Sequence, residues 1–249
     1  GFFRVLFTKA KEINRLTEGA FDISAEPLFR AWGFGSGGKA NPDKETVEAL
    51  KQCVGMDKIW LEGNRVVKSN PAIVLNANAV AKGYSVDVVA DFLDGKACGN
   101  YLVEIGGEIR LKGCNPDGER WRVGIDKPAD DNPLPGQRLH AVLQLTGKAV
   151  ATSGNYRQFS VENGRRINHT INPATGYPVN NELLSVTVVA ADALTADALA
   201  TAAMVAGKEA AMKWITEYGN FDAVFIIDDA GELKTCCTEG IAGNIRMNL

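Results

Sequence analysis

The chain has 249 residues, 45% hydrophobic and 23% charged, with a formal net charge of −3. This composition suits one or two domains with a sizeable core. It offers no Lys/Arg cluster to mark a nucleic-acid partner and no apolar run long enough to span a bilayer. The five cysteines, Cys53, Cys98, Cys114, Cys236 and Cys237, follow neither zinc nor disulfide spacing and read as mostly buried thiols.

In chain order, Phe2, Phe3, Leu6, Phe7, Ala10, Ile13 and Leu16 recur at helical spacing and predict an amphipathic helix closed near Thr17-Glu18-Gly19. A chain opening inside a helix reads as one whose N-terminal portion is missing. A short helix is expected over Pro27 to Trp32 and a glycine-rich loop over Gly33 to Ala40. A further helix is expected from Asn41-Pro42 to about Cys53, capped by Asn41. Residues 58–61 and 65–68 flank a hairpin turn. Ala72 to Leu75 reads as a short apolar strand, and Val80 to Leu93 as a helix that begins with the pair Lys82-Gly83 in a strand-to-helix turn.

Strands are expected at 101–105 and 108–112 around Gly106-Gly107, and at 121–125 and 139–145 around a Pro-rich loop. Ala151 to Asn155 reads as a tight polar turn. Residues 157–161 and 165–169 read as a hairpin across Asn163-Gly164. The β-branched run Leu184 to Ala190 predicts a buried strand. An Ala-rich helix over Thr195 to Ala206, closed by Gly207, precedes a helix over Lys208 to Tyr218 and a last hairpin, 223–227 with 232–235. Antiparallel pairs with intervening helices favour an α+β fold with mixed, largely antiparallel sheets over a doubly wound α/β one.

Two phosphate motifs are decoys. Gly33 to Gly38 fits G-x-G-x-x-G, but its lead-in, Pro27 to Trp32, is helical where a dinucleotide fold needs a strand. Gly33 to Lys39 fits most of a P-loop, but Ala40 stands where Ser or Thr would hold Mg²⁺.

Asp197 and Thr201 form an i, i+4 pair on one helical face. Such pairs are ordinary on solvated helices, but this helix is otherwise Ala, Leu, Met and Val, and a buried carboxylate needs a partner or a metal. Lys82, by itself a surface residue, gains meaning beside a helix N-terminus that suits a phosphate. Asn76 and Asn78 can hydrogen-bond a heterocycle or a ribose. Together these groups suit a Mg²⁺-bound pyrophosphate. His169 lies at the mouth of a Gly/Pro loop, where a site role weighs against a structural one. His140 reads as a solvent-face strand residue. Ser153 lacks the elbow of a serine nucleophile.

The segments Thr17 to Asp22, Pro27-Leu28 with Trp32 to Gly35, Ala79 to Tyr84 with Asp87, and Ile105 to Gly107 continue in Ala151 to Gly154, His169 to Pro173 with Thr175 to Pro178, and Ala196 to Thr201. In this order they resemble the ApbE-type family, the FAD:protein FMN transferases. The resemblance implies a T-fold-like architecture in a single domain over 1–249, with a ligand cleft between two halves. It implies FAD as substrate and a Thr or Ser hydroxyl of a partner protein as acceptor. That partner would be an electron-transfer subunit bearing a flavinylation motif. FMN is transferred as a phosphoester and AMP leaves.

By resemblance, Mg²⁺ is held by Asp197, Thr201 and the carbonyl of Ala79. Asp22, Asn76, Lys82 and Ile171 contact FAD, and His169 deprotonates or orients the acceptor hydroxyl. The resemblance further implies an exported protein, periplasmic or at the cell surface and anchored as a lipoprotein. Asn76 stands where the family usually has Asp, and Thr170 and Asn172 replace the usual Ile and Asp after the His. An FAD pyrophosphatase giving FMN and AMP, or a non-catalytic flavin-binding protein, are the competing readings. The chain lacks the D-G-x-[ST]-G-A acceptor pattern, so it is expected to modify a partner and not itself.

Overall fold

The computed structural model describes residues 1–34, 41–128, 134, 136–155, 159–162, 165–168 and 170–247, with backbone alone for 159–162 and 165–168. The first helix, α1 (Phe2–Leu16), turns Leu6, Phe7, Ala10 and Ile13 inward, as their spacing requires. It is followed by α2 (Glu26–Ala31) and α3 (Lys44–Lys51). The cap of α3 is Asp43 and not Asn41: its carboxylate accepts from the Thr46 amide at 2.8 Å, a charge-assisted bond at the positive helix end. The hairpin β1 (Ile59–Glu62) with β2 (Arg65–Lys68) comes next.

The strand expected at residues 72–75 is absent. Other bonds hold this stretch: Lys68 Nζ donates to Pro71 O just before it and to Ile73 O within it, and the Asn76 amide just after it donates to Ile23 O at 2.7 Å. The chain then enters α4 (Asn78–Gly95), so Lys82-Gly83 lies in the second turn of a helix, not in the turn that precedes it.

Strands β3 (Tyr101–Ile105), β4 (Glu108–Lys112), β5 (Trp121–Asp126) and β6 (Leu139–Leu145) follow as expected. The expected polar turn at 151–155 is instead the end of strand β7 (Lys148–Gly154), which lies between two neighbours in the main sheet. Of its Ala-Thr-Ser-Gly run only Ala151 is buried, so small and polar residues stand where a core strand would carry apolar ones. Strands β8 (Phe159–Glu162) and β9 (Arg165–Asn168) form the expected hairpin; its turn, Asn163-Gly164, lies outside the described residues.

Then come β10 (Leu183–Ala190), α5 (Ala193–Ala206), α6 (Lys208–Tyr218), β11 (Asp222–Asp229) and β12 (Glu232–Cys237). A short α7 (Glu239–Ala242) and strand β13 (Ile245–Met247) close the chain. Neither was legible in the sequence, since three residues carry too little pattern for a strand.

Among the described residues the main sheet runs β12-β11-β10-β7-β4-β3, antiparallel throughout, and a smaller one runs β13-β6-β5. The period of two sorts the core into layers. Ala223, Phe225 and Ile227 of β11 meet α1, α5 and α6 on one face. Val224 and Ile226 meet Val123, Leu143 and Ile241 on the other. The α+β expectation holds. The cysteines do not follow theirs: Cys53, Cys98 and Cys114 are half-buried, and Cys236 and Cys237 are exposed on the edge strand β12. His140 is half-buried too, its Nε2 2.6 Å from Thr235 Oγ1, and burial holds its pKa below the ordinary value.

Helix α5 is the centre of the fold, buried along nearly its whole length. Its first four amides are all satisfied. Asp87 accepts from Ala193 N at 2.9 Å and Leu194 N at 2.8 Å, Asp192 Oδ1 accepts from Thr195 N at 2.7 Å, and the Asp192 carbonyl accepts from Ala196 N. Arg110 in turn donates to Asp87 and Asp91, each at 3.1 Å. Asp87→Ala would strand two buried amides, at about 1–3 kcal/mol each. A urea midpoint well below that of the parent chain is the expected result; an unchanged midpoint would mean that water replaces the carboxylate.

Candidate functional site

Six stretches far apart in sequence line one cleft of about 950 Å³, near the upper end of the ~300–1,000 Å³ usual for small-molecule sites. Asp22 comes from the turn after α1, and Asn76, Ala79 and Lys82 from the start of α4. Thr152, Ser153 and Gly154 come from β7, and Asp197 and Thr201 from α5, while Ile171 closes one side. A second hollow, about 580 Å³, lies against α1 and holds none of these residues.

Local chemistry places each group. Asp22 accepts from the amide and hydroxyl of Ser24, whose Oγ also accepts from Gly55 N at 2.7 Å, so the turn is locked. Burial raises the pKa of Asp22, with the Ser24 bonds opposing. Asn76 accepts from Asn78 N at 2.8 Å through Oδ1 and donates through Nδ2 to Glu26 Oε2. An Asp at this position would set two carboxylates against each other; the amide supplies the donor that Glu26 needs. Ile171 is fully buried and bridges to Pro178. It packs with Leu28 and Val47 in a small separate core under the 170–178 loop. Asn172 ties that loop, its Oδ1 accepting from Ala174 N at 2.9 Å and its carbonyl from Gly176 N at 2.8 Å. His169 lies outside the described residues.

Asp197 and Thr201 sit one turn apart on the face of α5 that meets the cleft, as their spacing predicts. Asp197 is only 5% exposed, and its Oδ2 accepts from Gly83 N at 3.1 Å. In a regular helix that amide points to the carbonyl four residues back, Ala79. Ser153 Oγ lies 3.4 Å from Thr201 Oγ1. Gly83 lets α4 approach α5 this closely, for a Cβ there would stand 2.4 Å from Ala193 O and 2.9 Å from Asp197 Cβ.

One charged residue escaped the sequence reading. Glu108, first in β4, follows Gly106-Gly107, both at positive φ, and reaches back into the cleft to pair with Lys82 Nζ. It is 3% exposed, while the Lys82 side chain is half exposed. The Ile105-Gly106-Gly107 turn was the available signal, since it fixes where the next side chain points. Burial first, and then the charge of Glu108, push the Asp197 pKa up to about 7.

The donor set suits a hard dication. A carboxylate and a hydroxyl line the cleft beside Ala79, and oxygen ligands of this kind, together with a backbone carbonyl, are what Mg²⁺ takes. Two buried carboxylates facing one lysine leave negative charge in excess, which a dication would relieve. Among the described residues no three His, Cys, Asp or Glu side chains gather as a metal cluster, so the hydroxyl and carbonyl oxygens are needed to complete such a site.

The family model of the ApbE family matches residues 2–225. A Vibrio cholerae FAD:protein FMN transferase is 42% identical over 206 residues, covering 82% of this chain and 60% of that protein. A Haemophilus influenzae protein of the same name is 39% identical over 234 residues, covering 90% and 65%. The chain thus spans less than two thirds of the length of these curated relatives. The solved flavin transferase ApbE from Vibrio cholerae superposes with a TM-score of 0.85 at 36% identity, over 98% of this chain and 77% of that one. The apo flavinyl transferase ApbE of Pseudomonas stutzeri gives 0.85 at 33%, over 97% and 74%. With its motifs in order, its cleft built from them and its fold shared at these identities, the chain belongs to the ApbE family.

Proposed function

We propose that the chain transfers the FMN portion of FAD to a Thr or Ser hydroxyl of a partner protein, with release of AMP. The observation that carries this reading is the convergence of Asp22, Asn76, Ala79, Lys82, Ile171, Asp197 and Thr201 on one cleft of about 950 Å³. The names of the relatives support it.

In this reading Mg²⁺, held by Asp197, Thr201 and the Ala79 carbonyl, supplies neutralisation of the charge that develops on the transferred phosphorus. The remaining work falls to the chain's own groups. Lys82 exchanges Glu108 for a phosphate oxygen. Asp22 and Asn76 hydrogen-bond the nucleotide, and Ile171 walls the flavin side. The acceptor oxygen forms a bond to the FMN phosphorus, the bond from that phosphorus to the AMP phosphate oxygen breaks, and AMP leaves with the electron pair. His169 is proposed to take the hydroxyl proton. Because positioning and charge stabilisation suffice, no covalent nucleophile is needed, which fits Ser153 serving only as a neighbour of Thr201.

The exported, lipid-anchored location implied by the resemblance is part of this proposal. Among the described residues no helix is long and apolar enough to cross a membrane. The test is mass spectrometry of the chain with FAD and Mg²⁺, with and without an acceptor domain bearing the flavinylation motif. An FMN-sized gain on the acceptor with AMP released is the expected result. Free FMN and AMP with unmodified acceptor would replace the transferase by a pyrophosphatase. Intact FAD that stays bound would leave a flavin carrier.

A further inference from the structure

The carboxylate of Glu108 is buried, yet only one of its oxygens is engaged. Oε1 pairs with Lys82 Nζ, while Oε2 is among the few buried side-chain oxygens in the described residues with no hydrogen-bond partner. A buried acceptor left unmade costs about 1–3 kcal/mol, and more when charged, so such a group asks what it is kept for. Two observations bear on that. Glu108 lines the cleft together with Asp197 and Thr201. Gly106, which carries no side chain, leaves Oε2 uncovered on its side: a Cβ there would lie 3.6 Å from Oε2 and 3.1 Å from Lys82 Cδ.

We propose that Glu108 is a second carboxylate of the divalent-cation site, joining Asp197 and Thr201 through its unpartnered oxygen, directly or through one cation-bound water. This rests on the reading of Asp197 and Thr201 as cation ligands. It gives Lys82 a second duty. Its ammonium neutralises Glu108 before the cation arrives and becomes available to a phosphate afterwards, so cation and nucleotide each favour the rearrangement that admits the other. It also accounts for an acidic residue on the wall of a cleft read as taking a polyanion, where a carboxylate without a cation would repel the ligand.

The test is titration of the full 249-residue chain with Mn²⁺, without nucleotide, reading free Mn²⁺ by its electron paramagnetic resonance signal. Glu108→Gln keeps the shape and the hydrogen-bonding capacity and removes the charge. It is expected to weaken Mn²⁺ binding at least tenfold, as Asp197→Asn is, with a thermal midpoint no lower than the parent's as the check on folding. The double variant Glu108→Gln with Lys82→Met separates the alternative in which Glu108 only restrains Lys82. If a released Lys82 caused the loss by moving onto Asp197, the double variant would regain parent affinity and the proposal would fail. Continued weak binding supports it. Parent-like affinity in Glu108→Gln alone would overturn the proposal while leaving Asp197 and Thr201 as ligands. No binding by the parent chain, or no loss in Asp197→Asn, would overturn the reading on which it rests.

Discussion

Asp197→Asn is expected to lower the proposed FMN transfer by ~10²–10³-fold, the scale on which one preorganised electrostatic group acts on a transition state, while the chain stays folded. The substitution is nearly isosteric, and its amide oxygen still accepts from Gly83 N, so the contact between α4 and α5 survives. What disappears is the negative charge that would draw a dication. Single-turnover kinetics at saturating FAD should place the loss in the chemical step.

Without a cation, the same substitution changes stability in a direction that depends on pH. Asp197 is raised from 3.8 to about 7, chiefly by burial. A carboxyl raised in the folded state holds its proton more tightly there than in the unfolded chain, so stability from this group is complete at acid pH and is lost between about 4 and 7. Asn has nothing to lose. In chelator, urea midpoints of parent and variant should be close at pH 4 and diverge in favour of the variant by pH 8, by on the order of 3–4 kcal/mol. A parent chain that gained stability over this interval relative to the variant would show that Asp197 is not strained by its burial.

Gly83→Ala is the second large effect, and its sign is the test. At an exposed helical position the change stabilises by about 1 kcal/mol. Here the added carbon meets backbone at 2.4 and 2.8 Å, and neither the Ala193 carbonyl nor the start of α5 can yield without leaving Asp87. Destabilisation of about 1–3 kcal/mol or more is expected, together with loss of Mn²⁺ binding, because α4 would carry Ala79 and Lys82 away from Asp197. A stabilised variant would mean that the two helices separate readily.

The sequence revealed most where one physical rule acts alone. The period of α1 from Leu6 to Ile13, the small residues of α5 and the i, i+4 spacing of Asp197 and Thr201 follow from helix geometry and hold in the fold, although Phe2 and Phe3, counted on the same face, are exposed. It misled where tertiary neighbours decide. Ala72 to Leu75 has a strand's composition but pairs with no strand among the described residues, and Lys68 Nζ reaches its Ile73 carbonyl instead. Ala151 to Gly154 has a turn's composition, yet β10 pairs with it residue for residue. Asn76 donates to a carboxylate 50 residues away, that of Glu26, a partner that no local pattern reveals. Glu108 was invisible because its meaning depends on a buried oxygen without a partner, a property that no spacing records.

The ends of α5 give the site a further property. Its leading amides are held by two carboxylates, and its body is enclosed by three helices and the main sheet. Such an element exchanges its amide hydrogens with solvent only when the whole chain opens, whereas the 170–178 loop rests on a small separate core and can open by itself. The two walls of the cleft are therefore expected to run on different clocks: the wall that carries Asp197 and Thr201 is as permanent as the fold, and the wall that carries Ile171 opens without disturbing it. In the proposed transfer, that separation would let one wall yield to a second protein while the groups read as cation ligands stay in place.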